Sequence, residues 1–334
     1  MKPYLSIVMA ARNDDFGGNF LHRLQASVHS ILELSRRHRL AVELIIMEWN
    51  PPDDRARLKD ALSWPSAFDP VTVRIIEVPN SIHRRFKNSE RIPFFEFFAK
   101  NAGIRRAQGE YVLVTNSDIV FSNEMVKFFA ARRLADNVFC RADRYDVRGN
   151  VPLESHIDEQ IAFCRAHTFQ IQTMHGAFFT SNAEWFKARV LGRLRRISIK
   201  KIGEKISRGL RTLSAPPTTD TGRFQGLYIN VGGDFMLLSK RAWDSFKGYP
   251  ELGVDRGLDC YMTIMCDVAG LLQVVLPHPI YHIDHDRSAQ YLRPTAVLEN
   301  IPEFERMVAT GKVIITNPDS WGLGNETLKE TVLK

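Results

Sequence analysis

Polar residues follow directly on a short apolar run in Gly109 to Ser122, with the sequence GEYVLVTNSDIVFS, and this segment constrains the fold most. Tyr111 to Thr115 is rich in β-branched and aromatic residues and is short for a helix, so it predicts a buried strand. Asn116, Ser117 and Asp118 then lie where a central strand of an open α/β sheet ends at a ligand-binding crevice. Asp118 is the carboxylate best placed to hold a metal. The alternative is a turn in which these side chains bond their own backbone.

Apolar strands alternate with helix-like segments through the first 125 residues. Leu5–Ala10, Val42–Met47 and Val71–Val78 are apolar runs, and Phe20–Leu34 repeats apolar residues at helical spacing. A second helix-like stretch, IPFFEFFAKNAGIRRAQGE, ends at Gly109. Such alternation forms βαβ units, so we predict an α/β fold with a mixed, mainly parallel sheet flanked by helices.

The composition is that of an ordinary globular protein. Of the 334 residues, 44% are hydrophobic and 25% are charged, which is enough to build a sizeable core. The opening apolar run is short and lacks a cleavage site, so a first strand is expected instead of a signal peptide. No run approaches the ~20 apolar residues of a membrane span. The four cysteines show no CxxC pair, which predicts buried reduced thiols and a cytoplasmic location.

The positive charge is concentrated in one segment, Lys187 to Arg211. It holds ten basic residues and a single acidic one, Glu204, so it carries a surplus of +9 within a net charge of +7. The remainder of the chain is slightly acidic, which argues for one attachment surface and against a coat for nucleic acid. No aromatic residues are interleaved with the charges, so no nucleic-acid partner is expected.

The same segment repeats apolar residues at helical spacing between its arginines and lysines. This pattern is typical of an interfacial amphipathic helix or of a mobile basic flap, although three glycines weaken a rigid helix. Contact with anionic lipid at ~1 kcal/mol per basic residue would attach the protein peripherally to the inner face of the membrane. A helix packed on the body with a solvated basic face is the alternative.

A first resemblance covers about residues 5 to 125. An apolar strand ends in ARN, a second ends in EWNPP, and K-N-x-G-I-R-x-A-x-G-E precedes a strand that closes in N-S-D. In this order the motifs resemble the nucleotide-binding half of GT-A glycosyltransferases in the large inverting family two. The resemblance implies a GT-A, Rossmann-like fold and a nucleotide-sugar donor carrying UDP or GDP.

The resemblance also implies which residues bind the donor. In such enzymes the loop after strand one and the acid after strand two hold the base and ribose, and groups on the helix before the metal strand face the base or diphosphate. A solvated helix face is the alternative for that helix. The family's Asp-x-Asp appears here as Asn116-Ser117-Asp118, with a neutral first position. The donor residues implied by position are Arg12, Asn13, Glu48, Asn50, Lys100, Asn101, Arg105 and Asn116.

A second resemblance starts at Tyr228, in YINVGGDFMLLSKRAWDSFKGYPE. Gly-Gly-acid, an apolar strand, Ser-Lys-x-x-Trp, Gly-Tyr-Pro-Glu and a following acidic cluster resemble the acceptor half of inverting GT-A galactosyltransferases. Gly232, Gly233 and Asp234 would then contact sugar hydroxyls, since a backbone without Cβ atoms can approach a sugar closely.

The acidic cluster of this second segment supplies the candidate general base. An inverting transfer needs one group that takes the proton of the acceptor hydroxyl. Asp259, at the start of an apolar helix, is the first choice and Asp255 the second. The carboxylate pair usual in the family is Leu258-Asp259 here, and a plain helix N-cap is the alternative for Asp259.

Histidines follow the last apolar strand, in VVLPHPIYHIDHDRS. In resembling enzymes a histidine at this place completes the metal shell that the aspartate of the central strand begins. This implies a centre of Asp118 with His282 or His285. Mixed oxygen and nitrogen ligands suit Mn²⁺, with Mg²⁺ as the second choice.

These observations predict one GT-A domain over residues 1–290, followed by a helical extension over 291–334. Within the domain we distinguish a nucleotide-binding half (1–125), a basic insertion (187–222) and an acceptor and metal half (226–290). The expected activity is hexosyltransferase-like: inverting, metal-assisted transfer of a sugar to a hydroxyl of a glycan or lipid-linked acceptor, as in polysaccharide biosynthesis.

Two alternatives stay open, and a third is disfavoured. A sugar nucleotidyltransferase would use a similar sheet, but no Gly-rich phosphate loop follows strand one. A non-catalytic nucleotide-sugar or glycan-binding protein would explain the neutral Asn116. A Rossmann dehydrogenase is disfavoured because GxGxxG is absent.

Overall fold

The computed structural model describes residues 2–181, 226–253, 257–286 and 301–334. The basic segment Lys187 to Arg211 and the candidate base Asp255 lie outside the described residues. So does the start of the C-terminal extension, residues 291–300.

The described residues form one mixed sheet with helices on both of its faces. The strand order is β11-β3-β2-β1-β4-β9-β6-β10-β5, with the hairpin β7-β8 added to β6. The strands are β1 Leu5–Ala11, β2 Val42–Trp49, β3 Val71–Val78, β4 Tyr111–Thr115, β5 Ile119–Phe121, β6 Val138–Val147, β7 Thr168–Thr173, β8 Gly176–Phe179, β9 Phe235–Ser239, β10 Leu272–Ile283 and β11 Lys329–Leu333. The helices are α1 Phe20–Arg37, α2 Leu58–Ala61, α3 Asn80–His83, α4 Glu96–Arg106, α5 Asn123–Ala130, α6 Ile157–Ala166, α7 Lys240–Phe246, α8 Leu258–Val268 and α9 Pro302–Thr310.

The predicted α/β fold is confirmed, and the core shows why the strands contain so few polar residues. Every residue of β1, β2 and β4 is buried. Alternate side chains of β1 enter two apolar clusters, with Ile7 and Met9 packing on the α1 side and Val8 on the α4 side. A parallel sheet covered on both faces needs such continuous apolar strands.

The C-terminal extension is helical only in part. Helix α9 packs against α8, with Phe304 against Tyr261 at 5.2 Å between ring centroids. The chain then ends in β11, which pairs antiparallel with β3 and covers that edge of the sheet. The sequence analysis did not predict this strand. A strand at the edge of a sheet leaves backbone N–H and C=O groups unpaired, and β11 pairs with those of β3.

The ends of several strands lie together along one side of the sheet, and polar residues follow some of them. β1, β2 and β4 are mutually parallel and end there, while the antiparallel strand β9 begins there. β6 and β10 are parallel to each other and also end there, and β5 begins there. Seven strands thus begin or end on the same side of the sheet. Among the described residues, no helix is both long and apolar enough to cross a membrane.

Candidate active site

A cluster of three metal-ligating side chains lies at this edge. Asp118, His282 and His285 each offer one ligand atom, and these atoms lie within 4.8 Å of one another. His282 Nε2 is 3.7 Å and His285 Nε2 is 3.4 Å from Asp118 Oδ2. The pairing of β5 with β10 brings them together, because it sets His282 opposite Ile119, next to Asp118 in the chain.

A buried carboxylate orients one of these histidines. In the β6–β10 pairing His282 lies directly opposite Asp146, and its Nδ1 donates to Asp146 Oδ1 at 2.8 Å. Asp146 is 1% exposed. A histidine fixed in this way presents its other nitrogen to the cluster, which is how metal-ligating histidines are usually held.

Asp118 is prepared to carry a negative charge. Its Oδ2 accepts a hydrogen bond from Arg23 on α1 at 2.9 Å, while its buried Oδ1 has no hydrogen-bond partner among the described residues. Burial favours the neutral acid, but the neighbouring His282, His285 and Arg23 hold the pKa of Asp118 well below its usual range. An ionised carboxylate with one unpartnered buried oxygen fits a cation, so the residues present suit a metal ion.

The cluster lies in a cleft of about 260 Å³. The wall includes Arg12 from the end of β1 and two polar residues from neighbouring strand ends, Asn116 and Asp234. The cleft therefore brings together six residues that the sequence analysis selected. Its lining also includes residues that the sequence analysis did not select: Asp14, Phe16, Phe20, Arg23, Phe94, Glu96 and Arg144.

The other residues expected near the nucleotide base lie behind Arg12. Arg12 Nε donates to the Asn50 carbonyl oxygen at 2.8 Å. Asn50 Nδ2 donates to the Pro93 carbonyl, and Asn13 Nδ2 donates to the Ala56 carbonyl. These contacts shape the loops around the cleft, and the structure does not place Asn13 or Asn50 in its lining.

Glu48, at the end of β2, is almost fully buried. Its Oε1 accepts a hydrogen bond from the Leu58 backbone N–H at 2.9 Å. Burial raises the pKa of Glu48 to about 7, against the lowering effect of that hydrogen bond. Glu48 is therefore poised between its neutral and ionised forms near neutral pH, but it does not line the cleft in the described structure.

The three candidates on α4 divide between two faces of the helix. Lys100 is fully buried, and its Nζ donates to Glu96 Oε1 at 2.5 Å and to Asn116 Oδ1 at 2.6 Å. Asn101 and Arg105, one turn apart, share the other face.

That other face holds the C-terminal part of the chain. Asn101 exchanges two hydrogen bonds with the backbone of Tyr249, and Arg105 donates to the carbonyls of Asp319 and Trp321. The side chains of Asn101 and Arg105 thus hold other segments in place, and neither residue lies in the lining of the cleft.

Asp259 lies behind the glycine pair. Its Oδ2 accepts a hydrogen bond from the Gly233 backbone N–H at 3.1 Å. A Cβ atom at Gly232 would lie 2.9 Å from Asp259 Cβ, so only glycine fits there. Burial raises the pKa of the Asp259 carboxyl, opposed by the charge of Arg141. Asp259 is in the first turn of α8, whose N-cap is Gly257, so the N-cap alternative for Asp259 does not hold.

Three buried charged residues of the site escaped the sequence analysis. Arg144 and Asp146 are two apart on β6, so they share a face of that strand, and Arg23 lies on the buried face of α1. The available signal in the sequence was a charged residue on a face of a strand or helix that otherwise packs inward. Such a residue indicates a buried partner, because charged side chains are seldom buried without one.

Comparison with known proteins gives a fold similarity. No protein-family model and no curated protein matches the chain. The fold is similar to the solved structure of S. aureus TarS 1-349, with a TM-score of 0.44 and 12% identity. The similarity covers 85% of this chain and 60% of the TarS chain.

Proposed function

We propose that the protein is a metal-assisted, inverting glycosyltransferase that moves a sugar from a UDP- or GDP-sugar to a hydroxyl of a glycan or lipid-linked acceptor. The observation that carries this proposal is the cluster of Asp118, His282 and His285 on the wall of a cleft where strand ends meet. Ligands of open α/β sheets bind at this edge.

The residues of the cluster favour manganese, with magnesium as the second choice. One carboxylate and two imidazoles form a mixed oxygen and nitrogen set, which suits Mn²⁺ better than an all-oxygen site would. A bound ion would stabilise the negative charge that develops on the departing diphosphate.

The chain's own residues would bind the donor and exclude water from it. Arg12 lies on the wall beside the cluster and adds positive charge where a diphosphate would bind. Phe16 and Phe94 contribute aromatic rings to the same lining, which suits the flat face of a nucleotide base. The sugar would contact the segment Gly232 to Asp234, of which Asp234 lines the cleft.

Three carboxylates are candidates for the role of general base. Asp259 keeps its place as first candidate because burial raises its pKa, which makes its carboxylate a stronger base, and Asp255 is the second candidate from the sequence. Glu96 lines the cleft itself, although Lys100 holds it as an ion pair. In each case the base takes the proton of the acceptor hydroxyl as its oxygen bonds to the anomeric carbon and the bond to the diphosphate breaks.

The basic segment Lys187 to Arg211 is the basis for a proposed location in the cell. We propose a cytoplasmic enzyme held peripherally at the inner face of a membrane by the basic segment Lys187 to Arg211. Ten basic residues in 25 positions supply the electrostatic attraction to anionic lipid that such attachment needs. A lipid-linked acceptor would then be presented at the same surface.

The decisive experiment is nucleotide binding by calorimetry with and without Mn²⁺. The wild type should bind UDP or GDP more tightly with the ion, and Asp118→Ala should abolish that difference because the cluster loses its carboxylate. Asp143→Ala, a half-buried aspartate of β6 outside the cleft, is the matched control. The proposal would be refuted if the wild type bound neither UDP nor GDP, whether Mn²⁺ is present or absent.

Product analysis separates the alternatives. A transferase incubated with a nucleotide-sugar alone should slowly release the nucleoside diphosphate by hydrolysis. A binding protein should release none. Pyrophosphate formed from a nucleoside triphosphate and a sugar 1-phosphate would identify a nucleotidyltransferase instead.

A further inference from the structure

Asn116 and Asp234 face each other because of strand register. β4 and β9 pair antiparallel with Thr115 opposite Phe235, so the next residue beyond each strand end, Asn116 or Asp234, lies across from the other. Thr115 Oγ1 donates to the Asp234 carbonyl at 2.8 Å, and Asn116 Nδ2 donates to Asp234 Oδ1 at 2.6 Å. The end of the metal-bearing strand is thereby tied to the Gly-Gly-Asp segment.

The other end of the Asn116 amide accepts a hydrogen bond. Its Oδ1 is 2.6 Å from Lys100 Nζ, which also donates to the Gly233 carbonyl at 3.0 Å. An amide donates and accepts at separate atoms, whereas an ionised carboxylate only accepts. An aspartate at this position would set a second negative charge against Asp234, in a part-buried place where repulsion is poorly screened.

Asp234 continues the line of contacts toward the metal cluster. Its Oδ2 accepts from Arg144 at 2.6 Å, and Arg144 Nε lies 3.1 Å from Asp146, the carboxylate that orients His282. The chain of contacts already contains three carboxylates, Glu96, Asp146 and Asp234, and two side-chain cations, Lys100 and Arg144. Asn116→Asp would add a fourth carboxylate to this chain, directly beside Asp234.

We propose that Asn116 is a positioning residue that has to be neutral. Its amide joins Lys100 to Asp234 and so fixes the segment Gly232–Asp234 against the metal cluster, where the sugar of the donor is held. The cation site then uses one carboxylate, Asp118, and the neutral residue two positions earlier serves the sugar side. The sugar-holding role rests on the proposed function, but the requirement for a neutral Asn116 does not.

The rival interpretation is that Asn116 is a weakened metal ligand. In that case Asn116→Asp would add a ligand, tighten Mn²⁺ binding and raise turnover. Our proposal predicts that Asn116→Asp lowers the thermal midpoint and weakens binding of the nucleotide-sugar by about tenfold or more, through the loss of a buried hydrogen bond to a charged group.

A double-mutant cycle tests the pairing in the protein alone. Asn116→Asp combined with Asp234→Asn restores one amide facing one carboxylate, so the double variant should lose clearly less midpoint than the sum of the two single losses, although the ion pair of Asp234 with Arg144 stays broken. Asn137→Asp, an exposed asparagine in a turn, controls for the added charge. The proposal would be overturned if the midpoint losses of the two single changes simply added in the double variant. It would also be overturned if Asn116→Asp left the midpoint unchanged.

Calorimetry then separates positioning from general destabilisation. The probes are UDP-glucose, UDP-galactose and GDP-mannose, each compared with its free nucleoside diphosphate in the presence of Mn²⁺. Asn116→Asp should weaken binding of the best sugar donor several-fold more than that of the diphosphate. Equal weakening of both, or tighter Mn²⁺ binding with faster turnover, contradicts the proposal. A wild type that binds no probe overturns the proposed function instead, and the thermal cycle still tests Asn116.

Discussion

Removing the carboxylate behind His282 should weaken the metal centre without removing a ligand. Asp146 is buried, accepts from His282 Nδ1 at 2.8 Å and pairs with Arg144. Asp146→Ala frees the imidazole to rotate and removes the negative charge that makes it a better ligand. We expect Asp146→Ala to lower Mn²⁺ affinity.

The structure also sets the size of the effect. Loss of such a supporting group costs 10- to 100-fold in metal affinity, or about 1.4 to 2.7 kcal/mol. Asp146→Ala should fall near the upper end, since both the hydrogen bond to His282 and the ion pair with Arg144 are lost. Asp146→Asn keeps an oxygen that can accept from Nδ1 and should lose about tenfold or less.

The assay is a calorimetric titration of the metal-free protein with Mn²⁺, with the thermal midpoint measured beside it. Asp143→Ala removes an equal charge from the same strand three residues away, on its opposite face, and should leave the affinity within about twofold. An Asp146→Ala protein that stays folded and binds Mn²⁺ as tightly as the wild type would refute the role of Asp146. An equal loss in Asp143→Ala would attribute the effect to net charge alone.

Further changes probe the base, a buried acid and the basic segment. Asp259→Asn should lower turnover by a factor on the order of ten thousand with donor affinity intact, if it is the sole base; a full effect from Glu96→Gln instead would move the role to that residue. Glu48, with its pKa raised to about 7 from an ordinary 4.5, is neutral when folded but ionised when unfolded between these values, so stability falls as pH rises through that window. Glu48→Gln should abolish this fall and stabilise the protein at pH 8 by up to about 3 kcal/mol in urea denaturation. Replacing five basic residues of Lys187 to Arg211 with glutamine should release the protein from anionic vesicles in co-sedimentation, as high salt should, while binding that persists would contradict membrane attachment. The five are Arg193, Arg195, Arg196, Lys200 and Lys201.

Local signals in the sequence were enough for most of the sheet and part of the site. The runs that form β1 to β4 are apolar enough to predict buried strands from their own composition, and the polar residues after β4 identified Asp118. The two histidines were selected through the family resemblance, in which a histidine at this place completes the metal shell. The strands and Asp118 need only one segment each and the rule that ligands bind where strands end.

The residues that sequence reasoning missed contact partners on other strands, far away in the chain. Nothing near Asp146 in the chain shows that it will lie opposite His282, 136 residues later. Lys100 and Asn101 were both expected at the donor because they lie on the helix before the metal strand, yet adjacent residues on a helix point about 100° apart and so reach different partners. The neutral Asn116 looked like a defect until Lys100 and Asp234 were found on either side of it.

The strand order also dictates when during synthesis the site can exist. β10 lies between β6 and β5, although it follows both in the chain, so neither Asp118 nor Asp146 has its histidine until β10 is inserted. Domains fold as their segments leave the ribosome, starting from the amino terminus. A nascent chain could therefore form the β1–β4 platform early and remain unable to assemble the three-residue cluster until His285 has been made.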